Sequence, residues 1–344
     1  IRYTVDTRDP FYEAENEYND QQSPLLQEKL QEFQKALTAS PFRKELEEEL
    51  GELLFRNIEL ELKSFSPEII PLMQEENQLQ NEYQKLYASA QIPFQGKTVT
   101  VAQLGPYKES TDRATRRAAL EAEGSFFDEN REQFDALFDK LVKHRTEQAR
   151  KLGFANYVVL GFLRRGRNCY APRDIAAFRD AVVRDLVPLT VKLKERQAKR
   201  LGIDDFKFQD NALKFKDGSA APQGTPEEIL AAGKQMYHEL SPETASFIDL
   251  MFDNELFDVL AKEGKAPGGY CTGLEDYGYP FIFSNFNGTS GDVDVLTHEA
   301  GHAFADYMAN QAVQTHALRC PTMEGAETHS MSMEFLTAPW HHLF

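Results

Sequence analysis

The chain has only three cysteines in 344 residues, one tryptophan, and no apolar run near the ~20 residues that a membrane-spanning helix requires. Each scarcity removes a class of protein. Cys169, Cys271 and Cys320 are too few and too scattered for a disulfide framework, and no CxxC pair offers a thiolate metal site. Basic residues are also in deficit: 38 Lys and Arg stand against 55 Asp and Glu, a formal net charge of -17. Such a chain repels phosphate backbones and anionic membrane surfaces, so neither nucleic acid nor a membrane is expected as a partner. The first residues, Ile1 to Asp6, lack the basic-then-apolar order of a targeting segment, and with so few cysteines the expected compartment is the reducing cytoplasm. What is present is a globular composition, 41% hydrophobic and 27% charged, long enough for two domains. A start without Met and a stop just after the apolar stretch Phe335 to Trp340 read as a piece of a longer chain.

Helix-start punctuation recurs: a hydroxyl residue that can cap backbone N–H groups, then Pro at the first helical position. Ser23-Pro24, Ser40-Pro41, Ser66-Pro67, Thr225-Pro226 with Glu228, and Ser241-Pro242 each predict the start of a helix. After Ser40, Phe42, Leu46, Leu50, Leu53 and Leu54 recur at helical steps, which predicts one helix with a core-facing stripe. Few breakers interrupt residues 11–90 and 110–203, so this half is expected as antiparallel helices. Strand signals are local: Ile92 to Phe94 with Thr98 to Val101 reads as one hairpin, and Phe206 to Phe208 with Leu213 to Phe215 as another. A third pair, Gly268 to Thr272 and Pro280 to Phe286, precedes a loop at 287–292 and a helix from about Val293 to Gln311. The fold class expected is mainly α, with a small β-sheet beside that helix. The Asp-, Gly-, Lys- and Pro-rich stretch 204–224 marks the expected boundary between an N-terminal helical region, 1–203, and a C-terminal region, 204–344. No fixed-period repeat is present.

Inside that helix lies His298-Glu299-Ala300-Gly301-His302, an HExxH motif. Two imidazoles four residues apart share one helix face, and both can reach one zinc ion at about 2.0 to 2.1 Å. Glu299 is offset by one residue, which frees it to reach a metal-bound water. A chain of this composition contains the motif by chance about 0.03 times, so two unrelated histidines on a packed face account for it poorly. A catalytic zinc needs a third protein ligand and one open position. The longer HExxHxxGxxH pattern fails, because Ala305 and Met308 stand where it needs Gly and His. A helical pattern after Pro321 offers Glu324, Glu327, His329 and Glu334. Glu327 and Glu334 share one stripe and would face the HExxH helix together, while His329 points elsewhere; geometry alone leaves the choice open.

The segments Gly268-Gly269-Tyr270-Cys271, Phe283 to Asp292, His298 to His302, and Glu327-xx-Ser330-xxx-Glu334 resemble the oligoendopeptidase F and thimet oligopeptidase family of zinc metallopeptidases. The resemblance is greatest to its bacterial oligoendopeptidase F branch, which includes the Pz-peptidases. Ser40 to Leu46 and Gln103 to Tyr107 extend it along the chain. It implies a zincin-like, mostly helical, two-lobed fold around a deep channel that admits short peptides, with one zinc per chain. It also implies Glu327 as the third ligand beside His298 and His302, and a chain longer at both ends. Tyr and His groups beyond the position of Phe344 would steady the tetrahedral intermediate. The activity expected is hydrolysis of internal bonds of short peptides, with Glu299 as the general base that takes a proton from a zinc-activated water and returns it to the leaving amine. The alternative is a catalytically incomplete piece that binds zinc and peptide without turnover.

Other residues invite a role and have a plainer account beside it. Asp294 and Glu334 are candidates to orient an imidazole through its second nitrogen; Asp294 also suits the dipole of a first helical turn, and Glu334 the end of a polar stripe. Gly269 and Tyr270 sit where an edge strand could pair with a substrate peptide, although an ordinary hairpin needs the same residues. Arg164, Arg165 and Arg167 could receive a peptide carboxylate, but a solvated surface is the simpler reading. Cys271 reads as a small buried hydrophobe, and the Asn287-Gly288-Thr289 glycosylation pattern is irrelevant to a cytoplasmic chain. His341 and His342 are adjacent, splay apart on a helix, and are not expected as ligands. Oligomeric state has no signature in the sequence.

Overall fold

Local signals set most of the helix starts in the computed structural model, which describes residues 1–344. In chain order the helices are α1 (Arg2–Val5), α2 (Pro10–Thr38), α3 (Arg43–Leu50), α4 (Glu52–Ser64), α5 (Ile70–Ala88), α6 (Gly105–Lys108), α7 (Arg113–Glu129), α8 (Arg131–Lys151), α9 (Tyr157–Arg164), α10 (Ala176–Ala181), α11 (Val187–Leu201), α12 (Pro226–Leu240), α13 (Pro242–Asp253), α14 (Ser290–Ala312) and α15 (Met323–Thr337). The strands are β1 (Ile92–Phe94), β2 (Lys97–Val99), β3 (Phe257–Leu260), β4 (Tyr270–Leu274) and β5 (Tyr279–Phe286). Mainly helical architecture with small sheets is thus the fold class. No helix is long and apolar enough to cross a membrane.

The capping expectations hold at Thr225, whose hydroxyl accepts from the Glu228 N–H while Glu228 reaches back, and at Ser241, where Thr244 closes the box. They fail at Ser23-Pro24, which lies inside α2. That helix starts earlier, on the Asp9 carboxylate, which accepts from the N–H groups of Phe11 and Tyr12. Pro24 removes the N–H that would have reached the Asp20 carbonyl, and Asn77 Nδ2 donates to that carbonyl instead at 3.0 Å. The single helix expected after Ser40 is broken at Gly51, whose φ of +91° separates α3 from α4. Phe42 and Leu53 are consequently exposed while Leu54, Phe55 and Ile58 carry the core. The hairpin expected at 206–215 does not form. Asp210 is fully buried between Arg113 and Arg116, and Gln197 Nε2 takes the carbonyls of Asn211 and Leu213, so the segment is pinned as a 3₁₀ turn.

By internal packing the chain divides into two units interleaved in sequence. Residues 1–87, 130–187 and 315–323 form one; 88–129, 188–314 and 324–344 form the other, which contains the stretch 204–224. The chain crosses between units several times. The first unit packs α4 against α2, α3 and α9, with Leu54, Phe55 and Ile58 buried among Leu37, Leu46 and Leu318. A buried polar network sits in it: Arg145 and Gln148 both donate to Glu76, and Arg164 donates to Gln148. Arg164 is therefore a structural member of a satisfied network.

The second unit holds the sheet β3-β5-β4, in which central β5 pairs parallel with β3 and antiparallel with edge strand β4. Helix α14 packs on β5 and β4, and α12 and α13 pack on each other. Their shared core comprises Met236, Tyr237, Phe247, Ile248, Met251, Ile282, Ala300, Ala303 and Met333. Small alanines on α14 let the helix lie close to this core, which determines what its other face presents.

Candidate metal centre

The start of α14 is fixed by its preceding loop. Asp292 accepts from the N–H groups of Asn287 and Gly288, and Asn287 Nδ2 donates to the Ala102 carbonyl at 2.9 Å. A Cβ on Gly105 would lie 2.4 Å from Asn287 Nδ2, so a side chain there would displace this amide. The amide of Asn287 is committed to this contact. With Val293, Leu296, Ala300 and Ala303 buried, the helix turns His298 and His302 to the face opposite its core, their ring centroids 5.0 Å apart.

Helix α15 meets that face. A Cβ on Gly301 would lie 2.6 Å from Ser330 Cα and 2.9 Å from the His329 carbonyl oxygen, so the backbones approach closely at this turn. The approach brings Glu327 between the histidines: its Oε2 is 3.3 Å from His298 Nε2 and 3.8 Å from His302 Nε2. One donor atom from each of the three lies within 4.8 Å of the other two.

Each of these side chains has a second partner. His298 Nδ1 lies 2.6 Å from Glu334 Oε1, the Ala326 carbonyl accepts a hydrogen bond from His302, and Ser330 Oγ donates to Glu327 Oε2 at 3.0 Å. Glu334 rather than Asp294 thus reaches an imidazole. Asp294 is exposed, and its carboxyl is raised by desolvation first and then by Glu334. His329 is exposed, and His341 and His342 lie in a terminal 3₁₀ turn outside the cluster.

Glu299 is buried on the sheet side of α14. Burial pushes its carboxyl up to about 7; His298 opposes that shift, Glu327 adds to it, and the Cys271 N–H opposes it. Its Oε2 is buried without a hydrogen-bond partner in the protein. His302 is lowered, by burial first and then by His298. Cys271 is mostly buried and its thiol is pushed far up, by burial first and then by Glu299 and Asp306, as befits a small apolar residue rather than a nucleophile. Gly269 lies against Glu299: a Cβ there would be 3.4 Å from Oε1 and 3.0 Å from Val295. Tyr270 stacks on Phe283 with centroids 4.7 Å apart.

The donor set fits a zinc ion. Two imidazole Nε2 atoms and a carboxylate oxygen suit its ligand preference, and tetrahedral ligands at ~2.05 Å are spaced about 3.3 Å apart, close to the separations found. The contact of His298 Nδ1 with Glu334 leaves its Nε2 for a metal. Sequence reasoning missed Ser330, the Ala326 carbonyl and the Gly105–Asn287 contact. Only the short side chains at 105 and 301 hinted at close approaches.

A profile of Peptidase family M3 matches residues 106–343, and one of the Peptidase M3 N-terminal domain matches residues 1–65. The chain belongs to Peptidase family M3. Among solved structures this family M3 chain is similar to PZ peptidase A with inhibitor 2, at 49% identity and a TM-score of 0.98 over 100% of this chain and 61% of that one. It is similar to an oligoendopeptidase F from Bacillus anthracis str. Ames at 46% identity and a TM-score of 0.98, over 100% of this chain and 63% of that one. A chromosomal oligoendopeptidase F of Lactococcus lactis subsp. cremoris is 26% identical over 212 residues, 60% of this chain and 33% of that protein. The chain thus spans less than two thirds of the length of these relatives.

Proposed function

We propose that the chain carries the metal site of a zinc endopeptidase that hydrolyses internal bonds of short peptides, with His298, His302 and Glu327 as ligands of one zinc and Glu299 as general base. The observation that carries this reading is the convergence of three donor atoms beside a buried carboxylate oxygen with no partner. When bound, zinc supplies Lewis acidity for the scissile carbonyl and lowers the pKa of a water to about 7. Glu334, the Ala326 carbonyl and Ser330 each hold one ligand in place, which spares the site reorganisation during reaction.

Glu299 takes one proton from the attacking water, the remaining hydroxide bonds to the carbonyl carbon, the C–N bond breaks, and the same proton passes from Glu299 to the leaving amine. Its burial suits this exchange, because desolvation weakens the preference for the charged carboxylate and so eases the return of the proton. Strand β4 is the sheet edge beside Glu299, and its Gly268–Gly269 entrance is exposed, so an extended peptide can approach closely and pair with Gly269 and Tyr270. Cysteines so few and scattered support the cytoplasm as its compartment.

The experiment is elemental analysis of the purified chain, paired with cleavage of a quenched fluorescent peptide of about nine residues before and after chelation. One zinc per chain with chelator-sensitive cleavage is expected. Zinc without cleavage would favour the incomplete piece that binds without turnover, and absence of metal affinity would overturn the assignment of the three ligands.

A further inference from the structure

Lys265 carries a buried ammonium that the reaction above does not use. Its side chain is wholly shielded from solvent, and Nζ donates to Asp258 Oδ1 at 2.5 Å and to the carbonyls of Asp258 and Leu260 at 3.1 and 2.9 Å. Burial lowers its pKa, with Asp258 opposing. The ammonium also lies 4.4 Å from the centroid of Phe283, the β5 ring that stacks on Tyr270 of β4 at an interplanar angle of 12°. A parallel ring fills one face of Phe283, which leaves the other for the cation. Asp258 belongs to β3, so one amine ties the chain just before β4 to both other strands of the sheet.

Asn285 makes the second tie. Its Nδ2 donates to the carbonyls of Ala266 and Gly268 at 2.9 and 2.8 Å, so both amide hydrogens are spent on the segment that leads into β4. Between these anchors and the first β4 pair, Tyr270 with Phe283, stands only Gly269, whose position lies against the Glu299 carboxylate. Glycines at 268 and 269 bring no side chains to hold this stretch, and Gly268 adopts a φ of +84°. Its placement therefore depends on residues outside it.

We propose that Lys265 and Asn285 are positioning residues that fix the exposed Gly268–Gly269 entrance of the β4 edge beside Glu299, and so set how tightly an extended peptide backbone is held there. The inference rests on the peptidase reading. It predicts a separation of effects: beyond Tyr270 the strand is held by its own ladder to β5, so loosening the entrance weakens substrate binding more than it disturbs the groups that react.

The test uses the full-length chain loaded with zinc. Lys265→Met keeps the apolar stem and removes the cation; Asn285→Asp keeps the shape and turns two donors into repelled acceptors. Each is expected to raise KM for the fluorescent nonapeptide at least tenfold, with kcat within threefold of the parent and zinc affinity unchanged in a chelator competition. Lys265→Met leaves Asp258 without its cation and can fail to fold, so Asn285→Asp, which leaves that ion pair intact, decides the question. A purely structural role would lower the melting temperature and leave KM where it was, and a folded Asn285→Asp with KM within twofold of the parent overturns the inference. Failure of the parent chain itself to bind or cleave the peptide overturns the peptidase reading, and this inference with it.

Discussion

Replacing Gly301 by Ala tests the seam on which the metal site depends. The added methyl would stand 2.6 Å from Ser330 Cα, 2.9 Å from the His329 oxygen and 2.9 Å from Met333 Cβ. Carbon atoms in contact prefer about 3.5 to 4.0 Å, and two of these neighbours are backbone, so no side-chain rotation relieves the clash. Helices α14 and α15 must separate by roughly 1 Å. Both histidines ride on α14 and Glu327 on α15, so the separation falls on the contact between them. Metal sites tolerate deviations of about 0.2 Å, so zinc affinity is expected to fall at least ~100-fold, above the range for lost outer-shell partners. Overpacking should also destabilise the chain by about 1 to 3 kcal/mol. The assay is competition for zinc against a chromophoric chelator, with thermal melting of the metal-free chain in parallel. Gly124→Ala supplies the control: it sits inside α7 with nothing within 4 Å of an added methyl, and it should stabilise by about 0.5 to 1 kcal/mol. Zinc affinity unchanged in Gly301→Ala would refute the close-approach account of the site.

Glu299→Gln should bind zinc as tightly as the parent and lose at least ~10²-fold in kcat; parental turnover would remove Glu299 as the base. Glu334→Ala should weaken zinc about 10- to 100-fold through the freed His298, whereas Asp294→Ala should leave affinity unchanged, and equal losses in the two would contradict the contact found at Glu334. Burial favours a neutral Asp210, but hydrogen bonds from Arg113, the Lys207 N–H and Arg116 prevail and hold its carboxyl at about 2, against an ordinary 3.8. The folded value is depressed, so its contribution of about 2 kcal/mol is fully present above pH 3.8 and is lost as pH falls through about 2. Melting curves between pH 2 and 5 should therefore be flatter for Asp210→Asn than for the parent, and identical slopes would show that the carboxylate is not the group involved.

Features encoded in short windows were legible, and those that depend on distant contacts were not. The HExxH spacing needs only one helical turn, and the capping box at Thr225 and the Ser-Pro helix start at Ser241 need only a few residues, so each could be read directly. The joint orientation of Glu327 and Glu334 followed from periodicity, and both do face α14; the choice between them did not follow from it. Ser23-Pro24 misled because a proline inside a helix is tolerated when something else takes the freed carbonyl, and Asn77 stands 57 residues away from Asp20. The pattern at 206–215 alternates like a hairpin, but Arg113 and Arg116, nearly a hundred residues earlier, capture Asp210 and bend it into a turn. Asp294 and Glu334 were both candidates by sequence to orient an imidazole, each with a plainer account beside it. Only the docking of α15 decides which carboxylate reaches His298.

The site is a consequence of fitting one helix closely between two neighbours. On its sheet side α14 meets the entrance to β4 at Gly269, and on its other side it meets α15 at Gly301. A side chain at 301 would push α15 away from the helix, and one at 269 would crowd Val295 at 3.0 Å. The two contacts lie within six residues of α14, so a single element carries the buried carboxylate of Glu299 toward the sheet edge and the two imidazoles toward Glu327. A loose helix would still contain HExxH, but its donors would not converge. Short residues at 269 and 301 are thus as much a part of the proposed site as its donor atoms, since they set how closely α14 lies to the sheet edge and to Glu327.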